Sequence, residues 1–375
     1  MAKVLILGGG FAGVIAAQRL ARELSDEHEI TLVSRDKKFI FYPALVRLAF
    51  GGCKTEDVSF DLRKTMLDRR VVFIEGEVAR INPDERRVII AHGEVEGNLV
   101  YDYLIYALGR RLATERISGF YEHTRHLMNV DHALRFGKAI DNFKGGHAVI
   151  GQCAEARMPV PVYETAFALS RLLEERGQQA ASRVTIISPD AKQVHLGDPV
   201  VDDTLANKLQ ARGIEFTPDF SVDRVTANTL IAQNGQSIDF DLLMLVPPFR
   251  GSPAASHLGI TNDLSYINVI STMRVAGVER MYAVGDCVNF SGPKMGHMAV
   301  RQGEVAAANV IAEINGREPA AHYTHEMKLV IDSGDRDSMY VHKDLWTDEP
   351  ATVREGRFWS WAKRAQEKYW ETVHS

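Results

Sequence analysis

The amino-acid sequence predicts an α/β fold in which two strand–turn–helix units precede a C-terminal region that ends in an amphipathic helix. Three observations predict this fold. The chain opens with an apolar strand, a glycine turn and a helix. A second strand–turn–helix pattern begins at Gly146. Residues 357–373 place apolar side chains at helical spacing.

The first unit has the glycine spacing of a dinucleotide-binding site. Residues 4–7 form an apolar run that predicts a buried parallel strand, and helical spacing begins after the turn. Gly8 permits the tight turn, Gly10 lets a pyrophosphate approach the backbone, and Gly13 lets helix and strand pack closely. The helix N-terminus would stabilise the phosphate charge. Because a second strand follows at residues 29–34, the context is that of a Rossmann-type fingerprint.

Composition limits the classes of function. The chain of 375 residues is long enough for two domains with separate cores. A net charge of −5 gives no argument for nucleic acid, and three cysteines cannot form a disulfide framework. No apolar stretch approaches the ~18 residues of a membrane span, and no leader pattern precedes the first strand. We therefore expect a cytoplasmic protein, with peripheral attachment to the inner face of the plasma membrane and a homo-oligomer both left open.

The end of the second strand is where dinucleotide sites usually hold an acid that binds the ribose. This chain has Ser34 there, followed by Arg35 and Asp36. Ser34 or Asp36 could accept the hydrogen bond, and Arg35 could cover the adenine. The alternative is that Arg35 and Asp36 form a solvated turn. The aromatic run that follows ends at Tyr42 and Pro43, and it needs cover from a core or from a flat ligand.

The second unit has the position of a dinucleotide site without its fingerprint. After Gly151, the places expected to hold glycine carry Cys153 and Ala156. Pro159 and Pro161 lengthen the loop before the next helix. The phosphate cradle is therefore expected to be lost.

The tail predicts one helix with about half of its circumference apolar, at about 100° per residue. The apolar side consists of Phe358, Trp359, Trp361, Ala362, Ala365, Tyr369, Trp370 and Val373. An aromatic face with basic residues beside it suits a membrane interface. It suits equally well packing on the body of the protein or on a second copy.

Three segments resemble the FAD-contacting motifs of flavoproteins with two dinucleotide domains: residues 8–13, the strand ending at Ala107 and Gly109, and the strand ending at Gly285 and Asp286. The chain is similar to pyridine nucleotide-disulfide oxidoreductases of the sulfide:quinone oxidoreductase branch. That branch is related to the flavoprotein of flavocytochrome c sulfide dehydrogenase and to type II NADH dehydrogenase. The resemblance implies FAD and an α/β fold of two Rossmann-like dinucleotide-binding domains plus the C-terminal region. The implied domains are residues 1–112 with 245–318 for FAD, residues 113–244 with the degenerate fingerprint, and residues 319–375.

The resemblance also implies roles for particular residues. Asp286 would contact the ribityl or pyrophosphate group, and Pro43 would border the isoalloxazine. Lys294 would place a cation where the charge of reduced flavin is stabilised, unless it is a solvated surface lysine. Glu164 would accept a proton, or would only serve the dipole of its helix. The candidate cofactor-binding residues are Gly8, Gly10, Phe11, Ala12, Gly13, Ser34, Arg35, Pro43, Val78, Ala107, Gly109, Gly285, Asp286, Lys294 and Gly296.

Sulfur oxidation in this branch resembles disulfide chemistry and requires a pair of thiols. Cys153 stands where the family has one of them. Leu329 and Val330 occupy the place of its late partner, and Met128 occupies that of an additional cysteine. Cys153 is then either an attacking thiolate or a small buried hydrophobe. The candidate catalytic residues are Cys153, Glu164 and Lys294.

Three functions are compatible with these features. The first is an FAD-dependent oxidoreductase that passes electrons from a small-molecule sulfur donor to a quinone or another acceptor. The second is an NAD(P)H:acceptor oxidoreductase similar to type II NADH dehydrogenase. The third is a degenerate flavoprotein that acts as a partner or sensor. We predict the first, because a phosphate is not easily bound without a cradle, whereas a missing cysteine can be bypassed in mechanism.

Overall fold

The structure is a computed structural model that describes residues 1–191, 198–333 and 338–374, without the side chain of Glu371. Strands and helices are numbered along the chain. Within the described ranges the helices are α1 (Phe11–Glu23), α2 (Leu45–Ala49), α3 (Leu62–Leu67), α4 (Phe120–His123), α5 (Val130–Asn142), α6 (Val160–Glu175), α7 (Pro199–Ala211), α8 (Gly296–Ile314) and α9 (Arg357–His374).

The larger sheet contains the first unit. Its strands are β1 (Lys3–Leu7), β2 (Glu29–Ser34), β5 (Val72–Asn82), β6 (Arg87–Gly93), β7 (Gly97–Val100), β8 (Tyr103–Tyr106) and β18 (Met281–Ala283). They lie in the order β18-β8-β1-β2-β5-β6-β7. The pairs from β18 to β5 are parallel, and β5, β6 and β7 form an antiparallel ribbon. Helices α1 and α8 pack together on this sheet so closely that a Cβ at Gly303 would lie 2.5 Å from the carbonyl oxygen of Ala12.

The second unit forms a parallel sheet of four strands. These strands are β10 (Gly146–Gln152), β11 (Ser182–Ile187), β12 (Glu215–Thr217) and β16 (Leu242–Val246). Their order is β12-β11-β10-β16, so the first strand of the unit lies inside the sheet. Strand β16 runs past the predicted domain boundary at residue 244. The division into domains stays a prediction.

Smaller sheets complete the fold. Their strands are β3 (Lys38–Ile40), β4 (Ser59–Asp61), β9 (Arg110–Leu112), β13 (Val222–Val225), β14 (Thr229–Ala232), β15 (Ser237–Asp239), β17 (Phe249–Gly251), β19 (Glu326–Asp332), β20 (Ser338–Asp344) and β21 (Thr352–Glu355). Strands β9 and β17 pair with each other directly after β8 and β16. The chain therefore passes between the two large sheets at this ribbon. Strands β19, β20 and β21 form the C-terminal sheet, which precedes α9.

The predicted α/β fold is confirmed, and local signals explain where several elements begin. The side chain of Asn129 caps α5 by accepting a hydrogen bond from the backbone N–H of His132 (2.8 Å). Asp198 caps α7 in the same way through Val200 (3.1 Å). Over the described ranges, no helix combines the length and the apolarity that crossing a bilayer requires.

Candidate functional site

The glycine turn after β1 leaves the start of α1 open. Gly8 has a φ of +110°, and a Cβ there would collide with the carbonyl group of Ala107. A Cβ at Gly13 would collide with the carbonyl oxygen of Gly8, so both glycines are needed for close packing. In contrast, a Cβ at Gly10 would meet nothing within 4 Å, and no side chain caps the helix. The N–H groups of the first turn therefore face open space, which is the arrangement that binds a phosphate.

A second helix, α8, begins beside α1. Its N-cap residue Met295 makes no side-chain cap bond. Gly285, with a φ of +82°, fits between two alanines, because its Cβ would lie 3.2 Å from that of Ala12 and 3.6 Å from that of Ala299. The N–H of Gly285 donates to Oε1 of Gln302 (2.6 Å). The positive ends of both helix dipoles are therefore available to one anionic ligand.

A cleft opens at the start of α8. Its wall is mostly apolar, and its polar side chains are those of Asp286, Ser291, Lys294, Gln302 and His325. Nearby, the ring of Phe11 would lie 3.3 Å from a Cβ at Gly296, so only a glycine fits there without displacing the ring. The open phosphate turn and the adjoining cleft together fit a dinucleotide with a flat ring system, such as FAD.

Lys294 is buried, which excludes the solvated-lysine alternative. Its Nζ donates to the carbonyl oxygen of Val288 and lies 4.5 Å from the centre of the Tyr266 ring. Burial, and then repulsion by the charge of Arg157, lowers the pKa of Lys294 to about 7, although Asp286 opposes this. The lysine can thus gain or lose its proton near neutral pH, and negative charge placed beside it would raise its pKa.

Asp286 forms an ion pair with Arg110, the first residue of β9. The guanidinium carbon of Arg110 lies 4.3 Å from the centre of the Phe249 ring and 5.8 Å from that of Tyr42. No role for Arg110 is predicted from the sequence. The only signal is that an arginine directly follows the motif that ends at Gly109.

The remaining predicted cofactor residues lie on other segments of the first unit. Ser34 faces the glycine turn, because a Cβ at Gly9 would lie 2.8 Å from its Oγ. Arg35 and Asp36 are exposed, with their charged groups 3.5 Å apart. Roles for these side chains in holding the ribose or the adenine stay predictions. The last two are Pro43, exposed in a turn before α2, and Val78, partly buried in β5.

The second unit lacks the open turn of the first. A Cβ at Gly151 would collide with Ile187 on the neighbouring strand, so this glycine serves sheet packing. Glu155 follows in the left-handed conformation, with a φ of +65°. Its carboxylate pairs with Arg116 and lies 3.6 Å from Arg250. A negative group therefore stands in the loop where a nucleotide site would hold a phosphate.

The start of α6 is also unsuited to a phosphate. Pro159 is its N-cap residue, and Pro161 lies in its first turn. Proline has no N–H to donate, so two of the groups that would bind a phosphate are missing. Arg157 in the same loop donates to the carbonyl oxygen of Gly292 (2.7 Å) and so ties the loop to the segment before α8. These features agree with the predicted loss of the cradle.

Cys153 points into an apolar cluster. It is fully buried on the same face of the second sheet as Val149 and Leu245. Burial raises the pKa of its thiol well above the usual range, which disfavours the thiolate. This position suits the small buried hydrophobe better than the attacking thiolate. A catalytic role for Cys153 stays a prediction that the burial disfavours.

Glu164 joins α6 to the tail. Its carboxylate accepts hydrogen bonds from Nζ of Lys363 on α9 and from the backbone N–H of Asp332 (3.0 Å). Burial raises the pKa of Glu164, although the charge of Lys363 opposes the shift. A second ion pair, Arg47 with Glu367 (2.8 Å), joins α2 to α9. The predicted role of Glu164 as a proton acceptor stays a prediction, and the contacts show that it holds the tail.

One side of α9 packs on the body of the protein. Trp370 is buried, stacked parallel to Phe39 with ring centres 5.4 Å apart and edge-on to Phe11 at 4.8 Å. Trp359 stacks on Tyr340 with ring centres 4.0 Å apart. Through Phe11, the first residue of α1, the tail therefore contacts the segment that follows the glycine turn.

The other side of α9 is exposed. Phe358 and Trp361 are 61% and 64% exposed, and Tyr369 is also exposed. Arg364 and Lys368 lie beside them in solvent. The aromatic residues are thus divided between two sides, whereas the sequence predicted one apolar face. Helical spacing alone could not separate the two sets, because they adjoin on the helix circumference.

A protein that can hold a dinucleotide at the start of α1, with a flat ring system beside a buried lysine, falls by fold and site into the class of flavin-dependent oxidoreductases. More particularly, residues 2–303 match the family model of the pyridine nucleotide-disulphide oxidoreductases. The chain belongs to this family. The predicted family is confirmed, as is FAD as the cofactor.

Individual relatives include reductases with two different donors. The sulfide-quinone reductase of Aquifex aeolicus (strain VF5) is 25% identical over 98% of this chain and 90% of its own. The type II NADH:quinone oxidoreductase of Staphylococcus haemolyticus is 24% identical over 84% of this chain and 83% of its own. The solved sulfide:quinone oxidoreductase of Aquifex aeolicus has a TM-score of 0.92 at 24% identity, covering 100% of this chain and 91% of that one. The chain is an FAD-dependent oxidoreductase. Its similarity to these relatives does not determine which molecule donates the electrons.

Proposed function

We propose that this chain takes electrons from a small sulfur species and passes them through FAD to a quinone, as its sulfide:quinone relatives are named for doing. The observation that carries the proposal is the loop after β10. There the carboxylate of Glu155 and two prolines stand where a nucleotide donor would need a phosphate cradle. A donor without phosphates avoids this obstacle.

NADH is the second candidate donor, because the type II relative is almost as similar in sequence. It would have to place a pyrophosphate near Glu155. That carboxylate pairs with Arg116 and lies 3.6 Å from Arg250, so both guanidinium groups already have an anion and the carboxylate itself would repel a phosphate. For this reason we favour the sulfur donor.

FAD, when bound, supplies an acceptor of two electrons. In our proposal the start of α1 holds its pyrophosphate and Asp286 contacts its ribityl or pyrophosphate group. Lys294 and the start of α8 place positive charge at the pyrimidine end, where reduction adds negative charge. Because Lys294 has a pKa of about 7 in the cofactor-free protein, added negative charge would make it take up a proton.

We expect the variant Cys153→Ala to keep FAD and to be reduced by sulfide within about twofold of the wild-type rate. The thiol is buried and its pKa is raised, so little thiolate is present to attack. The small cavity should cost about 1 kcal/mol of stability. Stopped-flow flavin absorbance and thermal unfolding measure the two effects, with the half-buried Cys53→Ala as the matched control. A hundredfold slower reduction with full FAD content would instead assign Cys153 a redox role.

The quinone would approach between α9 and the first unit. A cleft lies there, and its wall combines the rings of Phe39, Phe41, Phe60 and Trp370 with the acidic residues Asp57 and Glu367. An aromatic cleft suits a flat apolar head group. It adjoins Phe11 at the start of α1, so a quinone in the cleft would be next to the cofactor site.

The exposed side of α9 would contact the membrane that supplies the quinone. We expect Trp361→Glu to weaken binding to vesicles of anionic phospholipid by about tenfold, because it removes a large apolar group and adds a repelled charge. Vesicle sedimentation measures this. Tyr121→Glu, which changes an exposed aromatic residue outside α9, should bind as the wild type does. Equal binding of all three proteins would contradict a lipid contact at α9.

Steady-state turnover tests the proposed function. The holoenzyme is mixed with a short-chain ubiquinone analogue and either sulfide or NADH, and reduction of the quinone is followed by its absorbance. The proposal predicts turnover with sulfide and background rates with NADH. Turnover with NADH alone would establish the second candidate. No turnover with either donor would favour the degenerate flavoprotein.

A further inference from the structure

Arg110 is an unusually placed cation. Its side chain is only 10% exposed and pairs with Asp286. One terminal nitrogen lies 3.6 Å from Sδ of Met128 and 3.8 Å from Sδ of Met158. Both sulfurs are thioethers, which are only weak hydrogen-bond acceptors. Its Nε is buried and has no hydrogen-bond partner among the described residues. The guanidinium thus keeps donor capacity that the protein does not use.

The surroundings of Arg110 carry an excess of positive charge. The Tyr266 ring lies 4.5 Å from Nζ of Lys294 and 5.9 Å from the guanidinium carbon of Arg157. Arg110, Asp286 and Glu155 also act on the same tyrosine. Glu155 is paired with Arg116, so Arg110, Arg157 and the partly protonated Lys294 face one remaining carboxylate, that of Asp286. A buried excess of positive charge favours binding of an anion. The phenol oxygen of Tyr266 is buried and also has no partner among the described residues.

We propose that Arg110 is the anion-binding residue on the donor side of the flavin and that it takes a small, singly charged sulfur nucleophile such as hydrosulfide. The inference rests on the proposed function, in which Asp286 turns to FAD and shares its carboxylate with the cofactor. Arg110 then needs another acceptor. Its two thioether neighbours are polarisable and weakly hydrated, and they suit a soft anion better than a large hydrated one. Met128 and Arg110 would thus give the donor a place to bind, without supplying the redox chemistry of the missing thiols.

Thiocyanate tests the site, because it is a small soft anion that does not reduce the flavin. It is titrated into the oxidised holoenzyme, and its dissociation constant is measured by calorimetry and by the change in flavin absorbance. We expect Arg110→Met to weaken binding by about tenfold or more, the usual worth of a hydrogen bond to a charged group. Arg111→Met changes the neighbouring, exposed arginine and should bind as the wild type does.

A second pair of variants covers the case in which Arg110→Met loses FAD. Met128→Glu places a carboxylate beside the guanidinium, where it competes with the anion, and Met128→Gln is its neutral isostere. We expect Met128→Glu to bind thiocyanate about tenfold more weakly than the wild type does. Met128→Gln should weaken the binding by less than about threefold. Equal affinity in wild type, Arg110→Met and Met128→Glu would overturn the proposal, as would no binding to the wild type. Failure of sulfide to reduce the wild-type flavin would instead remove the proposed function, whatever thiocyanate does.

Discussion

Replacing Gly10 by glutamate should yield a folded protein that has lost FAD. A Cβ at this position meets no atom within 4 Å, so the longer side chain has room. Its carboxylate would stand at the uncapped start of α1, where we place the pyrophosphate. Two unit charges 4 Å apart repel by about 4 kcal/mol at an effective dielectric constant of ~20, which is roughly a thousandfold in affinity. The measurement is the flavin absorbance of the purified protein relative to its protein absorbance.

Gly10→Ala is the matched control for this result. It adds the Cβ without the charge, and it should keep most of the FAD. Thermal unfolding of the apo-proteins should give similar midpoints for wild type and both variants, because the position is open. Full FAD content in Gly10→Glu would contradict the placement of the pyrophosphate at α1.

The second large effect is expected from Lys294→Met. Removing a unit charge several ångströms from the flavin should lower its two-electron midpoint potential by on the order of 50 mV. The control is Lys144→Met, which removes an exposed lysine after α5 and should leave the potential unchanged. Equilibration with redox dyes measures the flavin midpoint potentials of the wild type and of both variants. An unchanged potential in Lys294→Met would remove Lys294 from the cofactor site.

The same variant should change how stability depends on pH. In the folded apo-protein the pKa of Lys294 is about 7, below its ordinary value of 10.5. The unfolded chain therefore binds more protons between these two values, and this lysine makes stability rise with pH across that window. Below about pH 7 its full destabilising cost is present. Relative to wild type, Lys294→Met should gain most stability at pH 6 and least near pH 10, as measured by denaturant unfolding of the apo-proteins.

Much of the FAD site could be predicted from the sequence because short segments encode it. The turn around Gly8, Gly10 and Gly13 depends on one strand and one helix, so its spacing is visible in the chain. Gly285 and Asp286 follow a recognisable apolar strand in the same way. These residues come together because β1 and β18 lie on either side of β8 in one parallel sheet.

Contacts between distant segments could not be predicted in this way. Arg110 and Asp286 are 176 residues apart, and Glu164 and Lys363 are 199 apart. No local pattern pairs such side chains, so the ion pair of Arg110 with Asp286 and the ion pair of Lys363 with Glu164 appear only in the folded structure. The amphipathic pattern predicted α9 itself. Which side of the helix is packed and which is exposed depends on the residues that Trp370 packs against.

The burial of Cys153 has a local signal in the sequence. Side chains alternate between the two faces of a strand, so residues 149 and 151 of β10 and residue 153, which directly follows it, share one face. Val149 on that face belongs to the apolar cluster away from α6. Alternation could therefore have indicated a buried thiol. The family pattern alone left open both an attacking thiolate and a small buried hydrophobe at this position.

Anaerobic reduction of the oxidised holoenzyme tests the central claim most directly. Visible flavin absorbance is followed while sulfide is added in one titration and NADH in another. The loop after β10 predicts that sulfide bleaches the flavin and that NADH at equal concentration leaves it oxidised over the same time. Bleaching by NADH alone would mean that this loop binds a nucleotide despite Glu155, and it would contradict the assignment of a sulfur donor.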